Sequence, residues 1–267
     1  MSNGKTKDIK ILIATHKKYD MPKDECYLPV HVGKKEDYDL GYQGDNEGEN
    51  ISYKNKHYCE LTGLYWAWKN LECDYIGLAH YRRHFSNKNI FIRLLNEKFD
   101  CILNENQIRK LIDRYDVILP SKRKYYIETL YSHYAHTHYA EHLDKTRDII
   151  KEYYPNYLAD FNKVMNQRSG YMFNMFIMRK DLADEYCEWL FDILERLEDV
   201  IDLKEYDAFQ ARLFGRVSEL LLNVWINNKK LVYKEISFIY MEKINWADKI
   251  TSFLKARFEI RKFENSF

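Results

Sequence analysis

Short apolar segments alternate with amphipathic segments along the first third of the chain. Residues 7–15 read K-D-I-K-I-L-I-A-T, residues 27–32 read Y-L-P-V-H-V and residues 74–79 read D-Y-I-G-L-A. Each run is short and rich in apolar or β-branched residues, which predicts three buried strands. Apolar residues recur at helical spacing over residues 55–71, so we expect a helix before the third strand. Strand, loop, helix, strand predicts an α/β fold with a mostly parallel, Rossmann-type sheet flanked by helices.

The later part of the chain is predominantly helical in its pattern. We predict helices over residues 105–115, 125–153 continued by 158–165, 180–200 and 210–225, and short strands over residues 117–119 and 173–178. Residues 33–54 form a long polar segment without periodicity, which is typical of a functional loop or of disorder. We therefore expect a single domain over residues 1–247 with a helical C-terminal portion. Residues 248–267 form a basic amphipathic tail that either touches an anionic membrane surface or is a solvated helix.

Composition narrows the class of protein. The chain of 267 residues is 46% hydrophobic, and its 42 basic and 41 acidic side chains give a net charge of +1. A charge so close to zero gives no long-range field for nucleic acid, so we expect no nucleic-acid partner. Five scattered cysteines without a C-x-x-C pair and the lack of an apolar run of ~18 residues favour a cytoplasmic protein. Aromatic residues make up 16% of the chain, and composition alone favours core packing over ligand stacking for them.

Polar and aromatic side chains follow two of the predicted strands. The sequence His80-Tyr81-Arg82-Arg83 comes directly after the third strand, and residues 15–19 follow the first. Two adjacent arginines beside an imidazole provide the donors that hold a diphosphate and neutralise it as a leaving group without a metal. The alternative is that both arginines pair with structural carboxylates. We favour ligand binding because strand ends in such sheets face the cleft.

The polar loop carries three glycines among amides and carboxylates over residues 41–52. Its side chains Asp45, Asn50 and Ser52 are suited to bond ribose or sugar hydroxyls. The loop is neither a Walker loop nor a G-x-G-x-x-G turn. Ser52 has a second interpretation, as the cap of the helix that follows it.

Histidines cluster at His133, His136, His138 and His142. His138 and His142 are four residues apart and would share a helix face, so a metal pair, and with it a zinc hydrolase, is one interpretation. We favour the other, in which His133, His136 and His138 line an acceptor groove. Residues 37–39 are formally a D-x-D, but no apolar strand precedes them, so we interpret them as a solvated loop.

Two polar residues stand within apolar segments. Glu219 lies inside an apolar helix, where burial would raise the pKa of its carboxyl group and make it suited as a general base. A buried salt bridge to Arg212 or Arg216 is an equally weighted alternative. Asn174 lies within a predicted apolar strand and is either a ligand contact, which would place it with the acceptor residues, or a satisfied core amide.

The ordered motifs resemble one bacterial family. They are I-L-I-A-T-H-K (11–17), Y-L-P-V-H-V-G (27–33), G-D-N-E-G-E-N-I-S-Y-K-N (44–55), Y-C-E-L-T-G-L-Y-W-A-W-K-N (58–70), D-Y-I-G-L-A-H-Y-R-R-H-F (74–85), F-N-M-F-I-M (173–178) and F-G-R-V-S-E-L-L-L-N-V-W (214–225). Together they resemble the glycosyltransferase-like proteins of capsular and exopolysaccharide biosynthesis. The resemblance covers nearly the whole chain.

The resemblance implies a GT-A-like transferase that moves a hexose from a UDP-sugar, first of all UDP-galactofuranose, to a lipid-linked glycan. It implies a cytoplasmic protein at the inner face of the plasma membrane. Thr15, His16 and Tyr19 fall where such enzymes hold the nucleoside, and Asn55, which ends the family-like loop segment, is expected among the donor-binding residues. The residues from His80 onward stand where many GT-A enzymes have D-x-D, so the resemblance favours a metal-independent enzyme while leaving manganese or magnesium open.

The expected reaction combines these elements. Arg82 and Arg83 hold the donor diphosphate, and Glu219 deprotonates the acceptor hydroxyl for direct displacement with inversion. The alternative class is a noncatalytic protein that binds a nucleotide sugar or a glycan within a polysaccharide assembly complex.

Overall fold

The computed structural model describes residues 6–35, 38–204 and 206–242. The strands in chain order are β1 (Ile9–Thr15), β2 (Tyr27–His31), β3 (Gln43–Gly44), β4 (Tyr75–His80), β5 (Arg83–Phe85), β6 (Val117–Pro120), β7 (Arg123–Lys124), β8 (Ser169–Gly170), β9 (Phe176–Arg179), β10 (Tyr233–Ile236) and β11 (Phe238–Tyr240). The α-helices are α1 (Asn55–Tyr58), α2 (Leu61–Asn70), α3 (Ile90–Leu95), α4 (Glu105–Ile112), α5 (Leu130–Thr137), α6 (Ala140–Tyr153), α7 (Leu158–Met165), α8 (Lys180–Val200) and α9 (Leu213–Lys229).

The described residues form two compact units. The first contains the chain up to Ser121 together with Phe173–Glu188 and Leu231–Met241. The second contains Lys122–Met172 and Trp189–Lys230, with Glu242. The predicted boundary at residue 247 lies outside the described residues, as does the tail over residues 248–267.

A nine-stranded sheet organises the first unit. Its main path runs β10-β6-β9-β4-β1-β2-β3, and β5 joins it beside β4 with β11 as its other neighbour. Four of the six pairings on the main path are parallel; only β9 runs antiparallel to its neighbours β4 and β6. Helices α2 and α4 pack on β1 and β6. The prediction of a mostly parallel sheet flanked by helices is confirmed.

The position of the central strands explains why their sequence is so uniformly apolar. Ile11, Leu12 and Ile13 of β1 are all fully buried, as expected for a parallel strand covered on both faces. In the neighbouring β4, a Cβ atom at Gly77 would lie only 2.9 Å from Ile177 Cγ1 and from the carbonyl oxygen of Phe176. The close approach of β4 and β9 therefore requires glycine at this position.

Three predicted elements are interrupted by local backbone geometry. The helix expected over residues 55–71 breaks at Cys59, whose φ of 55° is left-handed. The helix expected over residues 125–153 breaks at His138, where the backbone is extended between α5 and α6. The strand expected over residues 173–178 begins only at Phe176, since Phe173 and Asn174 both have positive φ. Asn174 thus lies in a turn, and its placement within a strand was wrong.

The second unit is mainly helical around α9. This helix is apolar on nearly all sides, and Phe214, Leu221 and Trp225 are fully buried, which is typical of a central helix. Helices α6 and α7 pack against α9, and α5 packs on α6 and α7. The two short strands β7 and β8 pair with each other as an antiparallel ribbon. No helix in the described part of the chain is both long and apolar enough to cross a bilayer.

Candidate functional site

The ends of three parallel strands meet at one edge of the sheet in the first unit. The register places Thr15 at the end of β1 opposite His31 at the end of β2, and Ala14 opposite His80 at the end of β4. Thr15 is fully buried, and its hydroxyl donates to the carbonyl oxygen of Lys17 at 2.7 Å. The hydroxyl of Thr15 therefore closes the turn that follows β1.

Aromatic rings line this edge. Tyr81 is buried, and its ring lies 5.5 Å from that of His16, 4.5 Å from that of Tyr19 and 4.2 Å from that of His80, centroid to centroid. The Tyr81 amide donates to the carbonyl oxygen of Ala14 at 3.3 Å, which fixes the chain after β4 against β1. The predicted nucleoside residues His16 and Tyr19 are thus brought together with His80 and Tyr81.

The two arginines of the predicted diphosphate site are held differently. The Arg82 amide donates to Nδ1 of His80 at 3.2 Å, which fixes the orientation of that imidazole. The guanidinium carbon of Arg83 lies 4.1 Å from the centre of the Phe173 ring and 5.3 Å from that of Tyr240.

Arg83 also has an unused donor. Its Nε is buried without a hydrogen-bond partner, and within the described ranges no carboxylate lies at ion-pair distance from its guanidinium. Two aromatic rings thus position Arg83, and they leave its charge without an acidic partner in the part of the chain that the structure describes. The alternative in which it pairs with a structural carboxylate is not what the described residues show.

Asp45 is the centre of the polar loop. It is fully buried, and its carboxylate accepts hydrogen bonds from the amides of Gly33 (2.9 Å) and Lys34 (3.3 Å) and from the hydroxyls of Ser52 (2.5 Å) and Thr62 (2.6 Å). These partners come from the turn after β2, from the loop itself and from α2. Asp45 therefore joins three segments beside the strand ends, while its assignment to donor binding stays a prediction.

The other predicted donor residues of the loop also bond to the protein. Asn50 donates to the carbonyl oxygens of Asn46 (3.2 Å) and Gly48 (2.8 Å). Asn55 donates to the carbonyl oxygen of Cys59 at 2.8 Å. The hydroxyl of Ser52 donates to Asp45, and among the described residues the helical turn that begins at Ser52 has no side-chain cap. These hydrogen bonds connect residues of the loop with one another and with Cys59.

His31 also belongs to this edge, although it is not among the site residues predicted from the sequence. It is buried, its Nδ1 has no hydrogen-bond partner among the described residues, and its ring meets that of Tyr38 edge-on at 5.8 Å. Burial lowers the pKa of His31, against the opposing charge of Asp45. The signal that could have identified it was its position at the end of the second apolar run.

The histidines of the second unit fall into separate arrangements. His133 and His136 both bond through Nδ1 to the carboxylate of Glu128, at 2.7 Å and 2.6 Å. His138 ends α5 and bonds to Gln210 at 3.0 Å, whereas His142 lies within α6. The expectation that His138 and His142 share one helix face was wrong, because the chain is extended between the two helices.

Both of these imidazoles lie beside the buried Tyr134. Nδ1 of His142 is 2.9 Å from the Tyr134 hydroxyl, and the His138 and Tyr134 rings are 4.9 Å apart. Burial, and then the charge of Arg216, lowers the pKa of His138 to about 3, so its imidazole is neutral near pH 7. In residues 6–35, 38–204 and 206–242, no three His, Cys, Asp or Glu side chains come together as a set that could hold a metal ion.

Glu219 and Asn174 lie in different units. Glu219 is half-buried on α9 in the second unit, and its negative charge adds to the burial that raises the pKa of Tyr134. Asn174 is buried in the first unit and donates to Glu60 at 2.8 Å. The D-x-D at residues 37–39 was interpreted as a solvated loop. Asp37 lies outside the described residues, and Asp39 is exposed and accepts a hydrogen bond from the Gly41 amide at 2.9 Å.

Comparisons with known proteins give a family and a similar solved structure. A family model described as "Domain of unknown function (DUF4422)" matches residues 10–230. The apo structure of WbbM, a bifunctional glycosyltransferase, is similar to this chain with a TM-score of 0.80 and 33% sequence identity. The match covers 88% of this chain and 46% of the WbbM chain, so this chain spans about half the length of that protein. No curated protein matches. The likeness supports the expected GT-A-like α/β fold.

Proposed function

This chain belongs to the family described as Domain of unknown function (DUF4422), and on that premise we propose that it is a glycosyltransferase. The observation that carries the proposal is the likeness to a bifunctional glycosyltransferase over 88% of this chain at 33% identity. The aromatic and cationic side chains at the carboxyl edge of the sheet support it, because ligands of open α/β sheets bind beyond those strand ends.

The proposed donor is a UDP-sugar, with UDP-galactofuranose as the first candidate. The exposed ring of His16 and the half-buried ring of Tyr19, both packed on the buried Tyr81, offer flat apolar surface and polar edges, which suit a nucleoside. Arg83 lies opposite His80 in the β4–β5 pair, none of the described acidic side chains is at ion-pair distance from it, and Arg82 is its neighbour in the chain. Guanidinium groups bind phosphate oxygens with paired donors, so these two residues are proposed to hold the diphosphate.

The proposed chemistry is a single displacement. Glu219 removes the proton from an acceptor hydroxyl, whose oxygen forms a bond to the anomeric carbon while the bond from that carbon to the diphosphate oxygen breaks. The configuration inverts, and UDP leaves with its negative charge neutralised by Arg82 and Arg83. Because the two arginines neutralise the leaving group, we propose that the enzyme works without a divalent metal; its activity with manganese or magnesium is part of the test below.

The proposed acceptor is a lipid-linked oligosaccharide of capsular, exopolysaccharide or O-antigen synthesis, at the inner face of the plasma membrane. His133, His136, His138 and Asn174 are the proposed acceptor residues. Among them, His138 has an imidazole that is neutral at pH 7, because burial lowers its pKa to about 3, and its Nδ1 bonds to Gln210.

The test is release of UDP from a panel of UDP-sugars, with Arg82→Ala, Arg83→Ala and Glu219→Gln compared with the unchanged chain. We expect turnover to fall by about a hundredfold or more in each variant, from the usual value of oxyanion-type stabilisation and acid–base catalysis. Lys56→Gln, an exposed lysine on α1, is the control. Near-normal turnover in any site variant removes that residue's role. Binding of UDP without any turnover would support the noncatalytic alternative, and loss of activity in EDTA with recovery in manganese would overturn metal independence.

A further inference from the structure

The ribbon of the second unit supports a well-defined loop. Strands β7 and β8 pair through Arg123 with Gly170 and Lys124 with Ser169. Beyond them, the Tyr125 amide donates to the carbonyl oxygen of Arg168 at 2.7 Å. The Leu130 amide donates to the carbonyl oxygen of Gln167 at 2.8 Å. The loop between residues 125 and 130 is therefore held at both ends; we call β7, this loop, Arg168 and β8 the basic hairpin.

The loop presents two large apolar side chains to solvent. Tyr126 is 82% exposed and Ile127 is 62% exposed. Side chains of this size are normally packed against the protein, yet the anchoring of the loop holds these two outward. The next residue, Glu128, is directed differently, because both of its carboxylate oxygens bond to the imidazoles of His133 and His136.

Basic side chains flank this tip along the chain and across the ribbon. Arg123, Lys124 and Arg168 are exposed, and within the described ranges no acidic side chain lies at ion-pair distance from any of them. Lys122, the residue before β7, is half-buried over the ring of Tyr171 at 4.8 Å and likewise has no acidic partner there. The hairpin is thus a local concentration of positive charge in a chain whose net charge is only +1.

We propose that the basic hairpin docks on an anionic lipid bilayer. An exposed tyrosine beside an exposed isoleucine suits the boundary between headgroups and acyl chains, where an aromatic ring keeps its hydroxyl hydrated. Lysine and arginine side chains around such a tip reach the phosphates of anionic lipids. The assignment does not rest on the proposed transferase activity, and it concerns a different segment from the basic tail over residues 248–267.

The charge contribution is tested by sedimentation of the full chain with vesicles of phosphatidylcholine, with or without phosphatidylglycerol. A basic side chain near an anionic surface typically strengthens binding about fivefold. Arg123→Gln, Lys124→Gln and Arg168→Gln combined should therefore weaken binding to the anionic vesicles by about a hundredfold. The matched control combines Lys56→Gln, Lys110→Gln and Lys151→Gln, which removes the same charge from exposed lysines elsewhere and should bind nearly as the unchanged chain does.

The apolar contribution has its own matched pair. Tyr126→Ser with Ile127→Ser removes the tip, and Tyr53→Ser with Val232→Ser removes side chains of similar exposure, 80% and 58%, outside the hairpin. Only the first pair should lower vesicle binding. All of these side chains are exposed, so thermal unfolding should show every variant folded.

Three outcomes would overturn the proposal. One is that the unchanged chain does not bind anionic vesicles. Another is that the triple variant of the hairpin and the triple control variant lose vesicle binding equally, which would assign the effect to net charge or to another segment. The third is that the hairpin variants keep vesicle binding but lose self-association or retention on nucleic acid, since the partner would then be a second copy of the chain or a polynucleotide.

Discussion

Replacing Asp45 distinguishes a structural role of the polar loop from direct donor binding. In Asp45→Ala the amides of Gly33 and Lys34 and the hydroxyls of Ser52 and Thr62 all lose their acceptor at a buried position. In Asp45→Asn the side chain keeps its shape, but an NH2 group replaces one of the two carboxylate oxygens. This group is a donor, and it would face the amides and hydroxyls that also donate. The two variants thus remove different parts of the same network.

The contacts set the expected magnitude. Hydroxyls can rotate, and Thr62 already has a second acceptor in the carbonyl oxygen of Cys59 at 3.1 Å. The amides of Gly33 and Lys34 cannot move as easily, and an unsatisfied buried donor costs about 1–3 kcal/mol. We therefore expect Asp45→Ala to lower the free energy of unfolding by about 4 kcal/mol and Asp45→Asn by about 2 kcal/mol.

The assay is urea unfolding followed by fluorescence, together with calorimetric titration of UDP at a temperature where each variant is folded. Asp39→Asn, on an exposed carboxylate of the same loop, is the control and should leave the unfolding midpoint nearly unchanged. Asp45→Asn should keep UDP affinity within a few fold once folded. Normal stability combined with lost UDP affinity would refute this reasoning and assign Asp45 to the donor.

Two further predictions test burial in the first unit. Burial lowers the pKa of His84 to about 4, so on acidification the unfolded chain takes up its proton near pH 6.5 before the folded chain does. The free energy of unfolding should therefore fall by about 2 kcal/mol between pH 6.5 and pH 5 on account of His84. Urea unfolding of His84→Leu should not show that loss. If the free energy of unfolding of His84→Leu fell with pH as steeply as that of the unchanged chain, the result would contradict this prediction. Gly77→Ala should destabilise the sheet by about 1–3 kcal/mol because its Cβ would press on Ile177 and on the Phe176 carbonyl oxygen, and a thermal midpoint equal to that of the unchanged chain would show that the strands can separate.

The parts of the fold that follow from local pattern could be predicted. The continuous apolar run of β1 reflects burial on both faces, and the helical periodicity of α8 reflects one buried stripe. The breaks within the predicted helices could not be predicted, because the apolar periodicity of the sequence continues across them. Cys59 adopts a left-handed conformation that glycine usually provides, and nothing in the residue type at His138 indicates an extended backbone there.

The candidate site was only partly predictable for a similar reason. His80 to Arg83 were identifiable because they directly follow a strand, and strand ends of parallel sheets converge. Asp45 was selected as a possible partner of ribose or sugar hydroxyls from the polarity of its loop, which says nothing of how deeply its side chain is buried. Its hydrogen-bond partners lie 7 to 17 residues away, so only the folded chain shows that it is buried.

Turnover of nucleotide sugars tests the central proposal most directly. The full chain should release UDP from at least one UDP-sugar, first of all UDP-galactofuranose, and Arg83→Ala should lower that release by about a hundredfold while Lys56→Gln leaves it unchanged. The basis for this expectation is the guanidinium of Arg83, which stacks on Phe173 and has no acidic partner among residues 6–35, 38–204 and 206–242. Full activity in Arg83→Ala, or an absence of turnover with every UDP-sugar that the protein binds, would contradict the account.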